Sequence, residues 1–173
     1  ALPQGVCEHF YAIANVDPVL PRETPSFICA ERLIYGREET GGFLVGFFDK
    51  AAKVVDVARL PEPFTFTLLP EDWDQVASYY QEACEIFPAL HSAPIRMLLN
   101  GPEAFTIDGR PLVGPVGRID GLYVASAMNS AGVTYSGMVG HNIADIVTGA
   151  APRFDAFDCT PSRFSSAQCA PEW

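Results

Sequence analysis

Apolar positions in this chain fall into two rhythms. Through the first sixty residues they come in short runs rich in aromatic and branched side chains: Phe10-Tyr-Ala-Ile-Ala14, Leu33-Ile-Tyr35 and Gly42-Phe-Leu-Val-Gly-Phe-Phe48. Pro18, Pro21, Pro25 and the charged Arg37-Glu-Glu39 separate them, so the pattern predicts strands joined by turns. Short turns favour antiparallel pairing. Val54-Val-Asp-Val57 is expected to pair back on the third run across the Asp49-Lys50 turn, and residues 61–69 read as an extended connector. The rhythm then changes. Trp73, Val76, Ala77, Tyr80, Ala83, Cys84 and Phe87 recur at i, i+3, i+4 and i+7, which predicts an amphipathic helix over about 70–87 with this face in the core. Pro70 would take its tolerated first position, Glu71, Asp72 and Asp74 would meet the positive end of the dipole, and Pro88 would end it.

Ile95–Asn100 returns to strand character, and Asp108-Gly109 is a turn signal between two strand-like arms. Leu122–Ala127 reads as a buried strand. A turn of small residues follows, and then Val139, Ile143, Ile146 and Val147 at helical spacing. Strand, small-residue turn and helix start aim free backbone N–H groups at an anionic or electron-rich ligand. Gly132, Gly137 and Gly140 would let a flat ligand approach the backbone, or they would simply serve packing at an ordinary strand-to-helix joint.

Composition narrows the field. The 173 residues are 49% apolar, enough for one compact domain or a little more, with no repeat or low-complexity segment. A net charge of −10 argues against nucleic acid or an acidic membrane surface as partner. No apolar run approaches the ~20 residues that span a bilayer, so no membrane partner is expected. Five cysteines (Cys7, Cys29, Cys84, Cys159, Cys169) without C-x-x-C spacing argue against a disulfide framework and a zinc site. His9, His91 and His141 share no metal-ligand spacing, so no metal site is expected. Free thiols point to a reducing compartment, the cytoplasm or the mitochondrial matrix. The chain opens at Ala1 directly into strand-like sequence, which suggests an excised domain or a processed product.

Several ordered motifs carry a resemblance. Asn100-Gly-Pro-Glu-Ala-Phe-Thr-Ile-Asp-Gly-Arg-Pro-Leu-Val-Gly114, followed by Gly121–Gly140, resembles the C-terminal part of flavin-dependent amine oxidoreductases of the D-amino-acid-oxidase-like superfamily. Within it, the dimethylglycine and sarcosine dehydrogenase branch fits best. Cys7-Glu-His-Phe-Tyr11, Tyr35-Gly-Arg-Glu-Glu39, Gly42-Phe-Leu-Val-Gly46, Leu69-Pro-Glu-Asp-Trp73 and Pro161-Ser-Arg-Phe164 occur in that branch's order, so the likeness runs from about Pro3 to Phe164.

The resemblance implies FAD as cofactor and hydride loss from a carbon beside the nitrogen of a small secondary or tertiary amine. It implies that Met128, Asn129, Ser130, Ala131, Gly132, Val133, Thr134, Tyr135 and Ser136 line the isoalloxazine ring, with a helix starting near Ser136. It further implies that His9 and Tyr35 are active-site residues, His9 orienting the amine or accepting its proton. In the sarcosine oxidase branch a flavin-tethering Cys falls at Gly101 and a carboxylate-pairing Lys at Thr134. Both are absent here, so recognition of a substrate carboxylate is unassigned. Arg37 is a candidate by charge, although a solvated pair with Glu38, Glu39 or Asp49 is the expected alternative.

No G-x-G-x-x-G fingerprint for the ADP moiety occurs. The expected architecture is therefore α+β: a mixed, largely antiparallel sheet, one long amphipathic helix, and a C-terminal strand-helix unit from a split FAD-binding fold. Residues 1–118 would form the substrate-binding sheet domain, 119–150 the last strand and helix of the FAD-binding fold, and 151–173 a tail or linker. Alone, the chain is expected to bind FAD weakly or not at all and to be inactive. It would need the missing FAD-binding half in cis or trans, and an open sheet edge would favour self-association. The alternatives are a non-catalytic brace subunit of a flavoenzyme complex and another flavin amino-acid or polyol-phosphate oxidoreductase.

Overall fold

A computed structural model describes residues 2–65, 67–117, 119–155 and 157–164. Cys169 and the last part of the expected tail lie outside the described residues. The chain divides into two units, one of Glu8–Pro102 and one in which Ala1–Cys7 joins the chain from Glu103 onward. The fold is α+β, as the patterning predicts.

The unit of Glu8–Pro102 is built on a mostly antiparallel sheet. β1 (Gly5–Ala14), β2 (Phe27–Cys29), β3 (Ile34–Glu39), β4 (Gly42–Phe47) and β5 (Ile95–Phe105) take the order β2-β3-β4-β1-β5. β4 lies between two antiparallel neighbours: Phe10 faces Phe47 and Ala14 faces Phe43 on one side, while Ile34 faces Phe47 on the other. Because side chains alternate, one face of these strands presents Phe10, Ala12, Ala14, Ile34, Phe43, Val45 and Phe47. All seven are buried in one core with Val76, Ala83, Cys84, Leu90 and Leu98.

The central location of β4 also corrects one expectation. Val54–Val57 cannot pair back on it, since both its edges are taken. Instead Glu8 N donates to Lys53 O (2.9 Å), and Val57–Arg59 winds into a short 3₁₀ turn capped by Asp56, whose carboxylate accepts from Ala58 N (3.0 Å).

α1 (Trp73–Ile86) covers the core face. It starts after Pro70 rather than with it. Asp72 is the N-cap, its Oδ1 accepting from Gln75 N (3.1 Å), while the Pro70 carbonyl accepts from the buried Asn100 Nδ2 (2.9 Å) outside the helix. Lys53 pairs with the same Asp72 carboxylate, which lies below its usual pKa range because of that bond and the bond from Gln75 N. The buried stripe matches the pattern except at Ala77, which is exposed; Tyr79 and Ile86 pack on the core in addition.

The other unit contains β6 (Leu112–Pro115), β7 (Tyr123–Ser126) and α2 (Gly132–Val147). β6 and β7 form a two-stranded antiparallel sheet with Leu112 opposite Ser126. The Asp108-Gly109 turn is present, with Gly109 at φ 68° and Arg110 N donating to Asp108 Oδ1 (3.1 Å), but its arms enter different sheets. β7 is only half-buried and Ala125 is exposed, which corrects the reading of a buried strand: among the described residues it has one strand partner. Polar clamps fix the chain after α2. Asn142, fully buried, donates to Phe154 O (2.8 Å) and accepts from Phe154 N (3.1 Å), while Asp145 pairs with Arg153. Arg163 grips Asp108 with two bonds of 2.8 and 3.0 Å and also donates to Arg110 O (2.7 Å). Among the described residues no helix is long and apolar enough to cross a membrane.

Candidate active site

His9 and Tyr35 come from strands that do not touch one another. β1 and β3 flank β4, and Tyr11 and Tyr35 both stand opposite Gly46. By alternation His9, Tyr11, Tyr35, Gly46 and Phe48 share the face turned away from α1. Gly46 has no side chain there, and the Tyr35 ring lies over the strand in its place: a Cβ on Gly46 would fall 2.0 Å from Tyr35 Cζ and 2.3 Å from its hydroxyl. The hydroxyl thereby reaches across β4 to His9 Nε2 at 3.1 Å. The two rings are nearly parallel, 3° apart with centroids at 6.0 Å, and Phe48 tilts against both at 5.5 and 5.2 Å. The pair is half-buried, with the orientation of the imidazole set in part by the phenol. Arg37, on the same strand as Tyr35, is ion-paired with Glu39.

The segment expected to line a flavin has its own signature. Ala127 (φ 49°), Asn129 (φ 50°) and Ser130 (φ 66°) are all left-handed without being glycine. Such residues cost of order 1–3 kcal/mol each and persist only where surroundings hold them. Here the holders are visible. The Asn129 side chain donates to Ala127 O (2.6 Å) and accepts from Thr106 N (3.0 Å), and Ser130 Oγ donates to Glu103 Oε2 (2.6 Å). α2 then begins at Gly132, four residues before the expected Ser136, because Tyr135 N already bonds to Ala131 O (2.9 Å). Val133, Thr134, Tyr135 and Ser136 are therefore first-turn helix residues, not loop.

Those first turns fit a flat, electron-rich cofactor. Ala131 at the N-cap brings no side-chain cap to the leading N–H groups, and Gly132 through Gly137 are all exposed, Val133 at 92%. A Cβ on Gly132 would meet nothing closer than 3.6 Å, so its own chain does not require glycine there. A cavity of about 460 Å³ in the same unit, lined by Val113, Asn142, Ile146 and Phe154 among others, includes none of the expected site residues. The strained segment, by contrast, contains the expected flavin-lining residues Asn129 and Ser130, with side chains committed to holding an unfavourable backbone. Sequence reasoning missed Gly46, Phe48, Glu103 and Thr106: each acts through register or a long-range bond that spacing along the chain does not reveal.

Comparison with known proteins shows the family. Residues 7–146 match the FAD dependent oxidoreductase family, and the chain belongs to it. It is 32% identical to 4-methylaminobutanoate oxidase (formaldehyde-forming) of Paenarthrobacter nicotinovorans over 96% of its length, and 28% identical to mitochondrial dimethylglycine dehydrogenase of Mus musculus over 91%. It is likewise 31% identical, over 97% of its length, to the mouse mitochondrial pyruvate dehydrogenase phosphatase regulatory subunit. The chain spans about a fifth of each of these relatives: 20%, 19% and 19%. In fold it is similar to glycine oxidase from Geobacillus kaustophilus (TM-score 0.72, 20% identity, 96% of this chain and 41% of that one) and to L-proline dehydrogenase from P. horikoshii (TM-score 0.73, 20% identity, 95% and 41%).

Proposed function

We propose that this chain is the substrate-facing portion, with the last strand and helix of the flavin domain, of an FAD-dependent oxidoreductase that oxidises N-methylated glycine-type amines. The observation carrying this reading is the His9–Tyr35 bond, which presents one oriented imidazole beside the aromatic ring of Phe48. When bound, the flavin accepts hydride from the carbon beside the amine nitrogen. The protein's part is positioning and proton handling. An amine arriving as its cation must lose a proton before its lone pair can assist hydride loss, and the imidazole of His9 is the group placed to take it. Tyr35 holds the ring still, the face of Phe48 offers the N-methyl carbons an apolar surface, and Ala127–Ser136 brings backbone close to the cofactor with the uncapped N–H groups of α2 beside it. The dinucleotide-binding half is a partner in cis or trans, and the mitochondrial relatives support a matrix location.

Anaerobic mixing of the flavin-loaded protein with sarcosine, dimethylglycine, 4-methylaminobutanoate and D-alanine tests the proposal. Bleaching of the flavin should be fastest with an N-methylated substrate; faster bleaching with D-alanine would assign it to the amino-acid oxidases instead. The similarity to a regulatory subunit over 97% of the chain favours one second reading, a non-catalytic brace. Bound flavin that no amine reduces would establish that reading.

A further inference from the structure

Resting on the reading of His9 and Tyr35 as the site, we propose that Gly46 is the positioning residue of this active site: the missing side chain on the central strand is what lets the Tyr35 hydroxyl reach His9. The constraint is steric. A Cβ on Gly46 would lie 2.0, 2.3 and 2.4 Å from Tyr35 Cζ, Oη and Cε1, well inside van der Waals contact, and these three side-chain atoms are its nearest neighbours. Any L-residue must move the outer half of the Tyr35 ring by more than an ångström. The His9–Tyr35 contact is already 3.1 Å, so a shift of that size removes the bond.

Two other glycines show why this one is different. Gly42 and Gly36 sit in the same sheet, but the atoms their Cβ would meet include the backbone oxygens of Ala14 and Leu44, both at 2.8 Å, so substitution there strains the sheet itself. At Gly46 the three nearest atoms all belong to the far end of one rotatable side chain. Alanine should therefore be tolerated by the fold and still break the site. A tyrosine laid over a glycine on the neighbouring strand also stabilises sheets generally; that role alone would change stability and leave the imidazole untouched.

The test is a double-mutant cycle on the intact flavin-loaded protein, reading the His9 Nε2 resonance with ¹⁵N-labelled histidine, flavin reduction by stopped flow, and thermal unfolding. Gly46→Ala should move the His9 Nε2 resonance as Tyr35→Phe does and slow reduction by the same factor, about 10-fold for one hydrogen bond. The two together should do no more than either alone. If Gly46→Ala shifts the resonance while neither it nor His9→Gln changes the rate, the positioning role stands and the functional reading falls. An unmoved resonance in folded Gly46→Ala overturns the inference, whatever His9→Gln does. Should Gly46→Ala fail to fold, Tyr35→Ala in the same chain must restore folding by removing the obstruction; failure to restore it also overturns the inference.

Discussion

The two units hold their expected site residues in different ways. In Glu8–Pro102 the sheet has a closed core: seven strand residues meet α1 on one face, and His9 and Tyr35 stand on the other with their geometry set by the strands beneath. In the second unit the sheet has two strands, β7 is half-exposed, and the first turns of α2 stand in solvent on every side. Around a small apolar cluster of Leu112, Val113, Ala127 and Val139, polar clamps add much of its internal order: Asn142 on Phe154, Asp145 on Arg153, Arg163 on Asp108. The first unit holds its own shape through burial. The second holds a strained segment in place by hydrogen bonds and charge.

Mutations should separate these two modes. The largest effect belongs to the closed core. Phe47, 1% exposed and flanked by Phe10 and Ile34, should cost about 3–5 kcal/mol when replaced by alanine, seen as a lower denaturant midpoint. A loss below about 1 kcal/mol would mean that this core is not closed.

Next comes the Arg163 clamp. Arg163→Met should cost about 2 kcal/mol, because Asp108 loses a bidentate partner and the Arg110 carbonyl a donor. It carries a pH signature as well. The guanidinium holds the Asp108 carboxyl well below the usual carboxylate range. A depressed folded pKa gives stability that is fully present above the unfolded value of ~3.9 and is lost as pH falls below it toward the folded value. Amide exchange around Asp108–Leu112 should therefore quicken below about pH 4 in the wild type, and Arg163→Met should flatten that dependence.

The smallest effect is expected at Asn142. Asn142→Leu keeps the volume but leaves the Phe154 N–H and carbonyl without their partner, at about 1–2 kcal/mol. The loss should appear as faster exchange at residues 152–155 with the Glu8–Pro102 amides unchanged. A uniform loss across both units would show that the clamps do not act locally.

The contrast also explains what could be read from the chain beforehand. Periodicity reports burial, so the α1 stripe and the strands of the closed core were legible, with Ala77 the single position that the helix turns outward. Where polar bonds or pairing decide, pattern misled. Val54–Val57 looks like a strand until β4 is seen to be paired on both edges. Leu122–Ala127 looks buried, yet among the described residues it has one neighbouring strand. Helix start signals point to Pro70 and the family resemblance to Ser136, whereas the Asp72 cap and the Tyr135–Ala131 bond set the ends. His9 and Tyr35 were reachable only through likeness to a family, because 26 residues separate them in sequence. Gly46, the residue between them, carries no signal until register is known.

The central claim is that His9, held by Tyr35, handles the amine and its proton. His9→Gln in the flavin-loaded protein, followed by anaerobic stopped-flow reduction with dimethylglycine and by thermal unfolding of the same samples, tests it most directly. The account predicts a reduction rate lower by about 10²–10⁴-fold with the unfolding midpoint unchanged. An unchanged rate in an equally stable protein would contradict it.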